Sequence, residues 1–484
     1  MIFPLIQGII VKISNLNVEE TIQKAKKLLS EEKSISPALS SIIEVLLLLV
    51  TTLLQRKGLT SRNSSKPPSE DKNRKRGRTQ KNSTRKPGGQ PGRTGVQLKP
   101  VENPDQIKII NLDKRTLPRG SYTEIGFDKR QVIDIETNII ITEYQAQILE
   151  DSKGQRFVAP FPAWVTRPIQ YGPSVKGRSV YLSQYQLTPY KRVEDYFNDQ
   201  LGLSVSEGSL YNFNKEAYDL LADFEAIAKD RLINSKQLNA DETGININGK
   251  RLWLHTACNA KWTHFYPHQK RGSEAMDEIG ILPKFKGVLC HDYWKAYYQY
   301  QCHHALCNSH LLRELEWSAT EDGQAWAKRM DEFLRALNIT VDKAGGYLSK
   351  KRAGLYRQQY RKILNEAETE CPEPEQNRKK GQRGRIKKSK SRNLLERLQS
   401  REEEVLRFME NKDVPFTNNQ GENDLRMTKV QQKISGCFRS LEGALIFCRI
   451  RAYLITCRKH DVTATEALET LFKGQLPGFV YQSE

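Results

Sequence analysis

Asn248-Gly249 sits between two runs of β-forming residues, Leu238 to Ile247 and Arg251 to Cys258. A two-residue type I′ turn needs positive φ at both central positions, which asparagine and glycine tolerate, so the pair predicts a tight hairpin. Asn259-Ala260 makes another turn, and Trp262 to Tyr266 gives a third strand. Ser273 then caps a helix to about Ile279. After Pro283, the run Gly287-Val288-Leu289-Cys290 suits a buried central strand that ends at His291-Asp292.

Three meandering strands, a helix and a buried strand begin a ribonuclease H-like α/β core, a mixed five-stranded sheet with helices. In that topology the fourth strand lies beside the first, which brings Asp241 and Asp292 close together. Two adjacent carboxylates repel unless a cation sits between them, so the pair predicts a metal site. Phosphoryl transfer uses such a site: two Mg²⁺ ions about 4 Å apart activate the attacking oxygen and stabilise the leaving one.

At 484 residues the chain is long enough for two to four domains. Its net charge of +20 is uneven. From Arg56 to Lys99 there are 14 Lys/Arg against Glu70 and Asp71, and from Arg378 to Arg392 nine with no acid. The remainder holds 54 bases and 55 acids, so the basicity is two tracts. Such blocks are solvated and either attract phosphate backbones or serve as inert linkers. Arg74, Lys75, Arg76, Arg78, Arg85 and Lys86 in the first, with Arg383, Arg385, Lys387 and Lys388 in the second, are the candidate DNA contacts.

All eight cysteines fall in the C-terminal half without a disulfide framework, and nothing at the N-terminus reads as a cleavable signal. Both features predict a reducing cytoplasm. The longest apolar stretch, Val45 to Leu54, is too short for a membrane span of about 20 residues.

The expected organisation begins with a helical segment, 1–57. Ser36-Pro37 opens its second helix, and Ile42, Val45, Leu46, Leu49, Val50 and Leu53 form an apolar face for self-association or for packing on the same chain. A basic low-complexity linker, 58–99, follows. β-branched residues over 130–141 predict a small β-rich module, 100–165. Residues 166–232 read as helices with a Gly-containing turn and Ser206 as a cap, the outline of a helix-turn-helix. The catalytic core is 233–317 with 411–460, interrupted by a helical insertion, 318–410, and followed by a tail, 461–484. Cys302, His303, His304, Cys307 and His310 offer zinc donors. Their spacing is cramped and no second Cys-x-x-Cys pair follows, which argues against zinc.

Several motifs resemble one family. Ala240-Asp241-Glu242-Thr243, His291-Asp292-Tyr293-Trp294-Lys295-Ala296-Tyr297 and Thr417-Asn418-Asn419-Gln420-Gly421-Glu422 are similar to the three acidic motifs of the insertion-sequence 66 family of DDE transposases. Asn63 to Ser69 and Gly88-Gly89-Gln90-Pro91-Gly92 resemble its linker, and Gln170 to Pro173, Pro189-Tyr190 and Val205 to Gly208 its helical region. Cys307-Asn308-Ser309-His310-Leu311-Leu312-Arg313 resembles its Cys-x-x-His-x-x-Arg motif.

The resemblance implies that Asp241, Asp292 and Glu422 are catalytic and hold two Mg²⁺ or Mn²⁺ ions. It makes His310, Arg313, Arg426 and Lys429 contacts to phosphate or to those carboxylates. Transposon ends and target DNA would be the partners, bound by a homo-oligomer, with accessory proteins of the same element. The implied reaction is hydrolysis at the transposon end followed by joining of the 3′-OH to target DNA. The alternatives are a nuclease of the same fold without strand transfer and a decayed, non-catalytic DNA-binding remnant. Glu422 is to sit near the start of a helix through Arg426 and Lys429, capped by Asn418 or Asn419. Two departures stand out. The cysteine pairs of the family's zinc module are missing, their places being Arg115 to Gly120 and Leu149 to Gly154. Gly421 and Asn423 stand where Ala and Arg are usual, and Gly421 is expected to loosen the helix by up to about 1 kcal/mol.

Overall fold

The computed structural model describes residues 12–13, 16–31, 36–58, 98–123, 125–374 and 388–482. The chain divides into two compact units, Lys75–Gln145 and Met1–Arg74 with Ala146–Glu484.

The larger unit starts with a short strand pair, β1 (Lys12–Ile13) and β2 (Leu16–Asn17), then helices α1 (Val18–Glu31) and α2 (Pro37–Gly58). Pro37 opens α2, and Ser36 Oγ accepts from the Leu39 N–H at 3.3 Å. Ile42, Val45, Leu46 and Leu49 are exposed on this helix. A hairpin follows at β3 (Ile148–Glu150) and β4 (Arg156–Val158), where Asp151 closes the turn by accepting from the Lys153 and Gln155 N–H groups.

In the smaller unit the described residues form one 3-10 turn, Lys114–Thr116, and no strand. This corrects the β-rich reading of 130–141: Val132, Ile133, Ile135, Ile140 and Ile141 are exposed and unpaired with any described strand. β-branched residues favour a strand only where a neighbouring strand and a packed face receive them.

Four helices precede the sheet: α3 (Pro173–Val180), continued by a π turn to Tyr185, α4 (Tyr190–Leu201), α5 (Glu207–Leu220) and α6 (Ala222–Ile233). Gly202 ends α4 in the left-handed region, and Ser206 caps α5 by accepting from Ser209 N. Their Val193, Phe197, Leu210, Phe224 and Leu232 share a core with Leu238, Ala240 and Leu289 of the sheet.

The sheet grows from the predicted hairpin. Strands β5 (Gln237–Ile247), β6 (Lys250–Cys258) and β7 (Thr263–His268) form an antiparallel meander, with φ of 47° at Asn248 and 78° at Gly249. Helix α7 (Ser273–Ile279) is capped by Gly272, one residue before the predicted Ser273. Then β8 (Val288–His291) pairs parallel with β5, and β9 (His303–Leu306) with β8. The order β7-β6-β5-β8-β9 is a mixed five-stranded sheet compatible with a ribonuclease H-like core.

After α8 (Asn308–Thr320), helices α9 (Ala325–Lys343), α10 (Lys350–Glu370), α11 (Lys390–Ser400) and α12 (Glu402–Leu406) build a second core. Trp326, Met330, Leu334, Tyr360, Leu364 and Leu395 pack there, continuous with Cys290 and Leu306. The end of the second basic tract is absorbed into this structure. Arg392 is buried and paired with Glu368 and Glu396, Lys388 pairs with Glu396, and Lys390 lies 4.5 Å over the Trp317 ring. These three serve the fold, contrary to the expectation of a wholly solvated tract. Helices α13 (Asn419–Ser435), α14 (Leu441–Lys459) and α15 (Ala464–Phe472) complete the chain. Among the described residues no helix is long and apolar enough to cross a membrane.

Gly287 holds β8 against its neighbour. A Cβ there would meet the Lys236 carbonyl oxygen at 2.4 Å and the Phe285 ring at 2.7 Å. Gly287→Ala should therefore lower unfolding stability by about 1–3 kcal/mol in denaturant titration. An unchanged midpoint would contradict the close approach.

Candidate active site

Strand alternation decides which side chains meet. Leu238 and Ala240 point into the core under α3 to α6, so Asn239 and Asp241 point to the opposite face. The last ladder pair of β5 and β8 is Asn239 with Cys290. Continuing that register by two residues sets Asp241 level with Asp292 on the same face. Asp292 Oδ1 also accepts from the Trp294 N–H at 2.9 Å, which fixes the bend after β8.

Helix α13 comes down on this face and carries Glu422 in its first turn. Asn418 stands at the N-cap position, but its side chain does not cap the helix. Instead Nδ2 donates to the Ala240 carbonyl at 2.8 Å, and Oδ1 accepts from Asn239 Nδ2 at 2.6 Å. Its backbone N–H donates to Cys307 Sγ at 3.1 Å, and its carbonyl accepts from the Glu422 N–H at 3.2 Å. One buried side chain thus ties the start of α13 to the two residues before Asp241. At the other end, Lys429 Nζ donates to the Gly244 carbonyl, and Phe438 pairs by backbone with Asn246 and Asn248.

Gly421 belongs to this contact. It is buried, and a Cβ there would lie 3.2 Å from Asn418 Oδ1 and 3.5 Å from Asp241 Cβ. Glycine leaves room for the Asn418 amide at this point, while a Cβ would meet Asp241 only at ordinary contact distance.

The electrostatics are those of a site with uncompensated negative charge. Burial, reinforced by Glu242, Asp292 and Glu422, raises the Asp241 carboxyl to about 7. Glu422 Oε1 is buried and accepts no hydrogen bond; His310 Nε2 lies 3.9 Å away. A divalent cation would relieve both conditions, and carboxylate oxygens are the donors a hard metal ion takes, but among the described residues the donor atoms of these three acids are not gathered within 4.8 Å of one another as those of Cys307, His310 and Glu422 are. Glu242 is differently engaged, since Arg271 Nε donates to it at 2.8 Å and the Tyr297 hydroxyl also donates to it. Burial nevertheless keeps its carboxyl above the usual range.

A cavity of about 270 Å³ opens beside Asp292, lined among others by Arg271, Tyr293, Trp294, His310, Arg313 and Arg397. The Arg271 guanidinium is stacked 4.3 Å from the Trp294 ring and 4.8 Å from Trp253, and Arg397 lies 4.6 Å over Tyr293. Such held guanidiniums and flat rings suit phosphate and base surfaces.

Of the residues named from sequence, Asp241, Asp292, Glu422, His310 and Arg313 therefore converge. Arg426 is exposed on α13, and Lys429 serves the helix–strand tie. Arg74, Lys75, Arg76, Arg78, Arg85, Lys86, Arg383, Arg385 and Lys387 lie outside the described residues. Cys307 sits at the N-cap of α8. Burial alone would raise its thiol, but His310, Ser309 and the Asn418 N–H bring it below the usual range. Sequence reasoning missed Arg271, Arg397 and the bridging role of Asn418. Only Trp294 and Tyr293 carried a signal, by adjoining Asp292.

Residues 168–445, more than half of the chain, match the family model described as Transposase IS66 family. Residues 12–99 match a family of unknown function. An uncharacterized protein, y4jO, of Sinorhizobium fredii (strain NBRC 101917 / NGR234) is 38% identical over 66 residues, 14% of this chain and 21% of that protein. The chain thus spans about a fifth of that curated relative.

The Asp241 charge bears on stability. Its folded-state pKa is raised, so its contribution is fully present below the carboxylate range of the unfolded chain and is lost as pH rises through about 7. Asp241→Asn removes that loss. In chelator at pH about 8 the variant should melt roughly 2–4 °C above the parent, with the difference shrinking toward pH about 4. Equal melting temperatures at both pH values would contradict the crowded-carboxylate reading.

Proposed function

We propose that this chain, which belongs to the transposase IS66 family, is a DDE transposase with a ribonuclease H-like core, cutting transposon-end DNA and joining the 3′-OH to target DNA. The observation that carries the reading is the approach of Asp292 and Glu422 to Asp241 on one sheet face, with Glu422 Oε1 left without a hydrogen-bond partner. DNA is the partner that the family implies.

Asp241, Asp292 and Glu422 would hold Mg²⁺ or Mn²⁺. When bound, these ions supply activation of the attacking oxygen and neutralisation of charge on the leaving oxygen. The protein's own contribution is position. Asn418 keeps the third carboxylate over the strand that bears the first. The Asp292 carboxylate is oriented by the Trp294 N–H. Arg313 and the stacked Arg271 face the cavity beside Asp292, where they would bind the phosphates flanking the scissile bond. Tyr293 and Trp294 offer ring faces to sugar and base. The basic tracts would add salt-sensitive, sequence-independent affinity, and the N-terminal helices would pair protomers on the DNA.

The test uses full-length protein, Mg²⁺ and DNA bearing the element's own ends. Parent protein should give 3′-nicks and joined strands. Asp292→Asn should lower cleavage at least about a thousandfold while end-binding affinity stays within about twofold of the parent. Retained cleavage in the variant would sink the assignment. Nicks without joined strands would favour a nuclease, and binding without nicks a decayed transposase.

A further inference from the structure

Cys307, His310 and Glu422 form a cluster whose donor atoms all lie within 4.8 Å of one another. Cys307 and His310 are one helical turn apart at the start of α8, and Glu422 arrives from α13. The three were invisible as a set in the sequence because 112 positions separate His310 from Glu422. Two buried donor atoms here have no hydrogen-bond partner, His310 Nδ1 and Glu422 Oε1. Cys307 Sγ accepts from the Asn418 N–H and lies 2.9 Å from the Ser309 hydroxyl, contacts that favour a thiolate at a helix N-terminus.

We propose that Cys307, His310 and Glu422 are a second metal site, selective for a borderline-soft divalent cation such as Zn²⁺, and that its occupation withdraws Glu422 from Asp241 and Asp292. Thiolate, imidazole and carboxylate are a three-ligand zinc set that leaves a fourth position for water. A tetrahedral zinc holds its donors roughly 3.5 Å apart. The half-buried His310 and Glu422 can close the remaining distance by rotation. Mg²⁺ disfavours thiolate, so the two metals compete for one carboxylate rather than for one site. Zinc would then hold the protein in a non-cleaving state even in excess Mg²⁺. The site itself is independent of the proposed reaction; only the inhibitory consequence rests on Glu422 being the third acid.

Cobalt(II) is the spectroscopic probe, titrated into the full-length protein and displaced by Zn²⁺. The expected result is one equivalent with a thiolate-to-cobalt charge-transfer band, retained in Cys437→Ser and lost in Cys307→Ser. X-ray absorption of the zinc-loaded parent, which needs no variant, should show a single sulfur at about 2.3 Å with nitrogen or oxygen donors. No band, a band that persists in Cys307→Ser, or a zinc shell with no sulfur or several would overturn the site. In strand cleavage at fixed Mg²⁺, Cys307→Ser should raise the zinc concentration for half-inhibition by roughly tenfold or more. Equal sensitivity would overturn the competition. A parent protein that binds zinc through one sulfur but never cleaves would count against the transposase reading and leave the site standing.

Discussion

The Asn418 side chain is the contact on which the site depends. It spans α13 and β5 with one amide, donating to the Ala240 carbonyl and accepting from Asn239. Both partners immediately precede Asp241. A buried amide satisfied on both sides gives a specific geometry, because each missed hydrogen bond inside a protein costs far more than it does in water. The consequence is that Glu422, one turn further along α13, is held over the strand that carries the first aspartate. Gly421 packs at this contact, and Lys429 and Phe438 tie the rest of the same helix and the residues after it to β5 and its turn.

Closing the helix onto the strand gathers three acids near one another. The raised Asp241 carboxyl and the unpartnered Glu422 Oε1 are two expressions of that charge. Glu242, beside Asp241 in sequence, points to the other face and is neutralised by Arg271 and Tyr297. Alternation along one strand thus separates the Asp241 carboxylate, on the face of Asp292, from one that anchors a stacked arginine. The same arginine presents its remaining surface to the cavity beside Asp292, so the anchor and the candidate phosphate contact are one residue.

Legibility from sequence followed the range of the interactions. The hairpin at Asn248-Gly249 was readable because local φ requirements decide it, the strand before Asp292 because its run is continuously apolar, and the place of β8 beside β5 through the ribonuclease H-like topology. The third acid was available only through motif resemblance, since helices α9 to α12 stand between it and Asp292. The sequence offers Asn418 or Asn419 as the cap; Asn418 holds the N-cap position, but its side chain does not cap the helix. The 130–141 segment misled in the opposite direction: its isoleucines have strand propensity but no described strand to pair with. Arg392 and Lys388 looked like part of a free basic tract, yet acids from α10 and α11 neutralise them. For Glu422 and Asn418 the missing information was a partner distant in sequence.

The central claim is that Glu422 completes a metal site with Asp241 and Asp292. Anomalous diffraction from crystals of the full-length protein soaked in Mn²⁺ tests it most directly. Manganese is expected within about 2.2 Å of carboxylate oxygens from Asp241, Asp292 and Glu422, with Glu242 still bound to Arg271. Manganese held by the two aspartates with Glu242 in place of Glu422, or bound elsewhere, would contradict it.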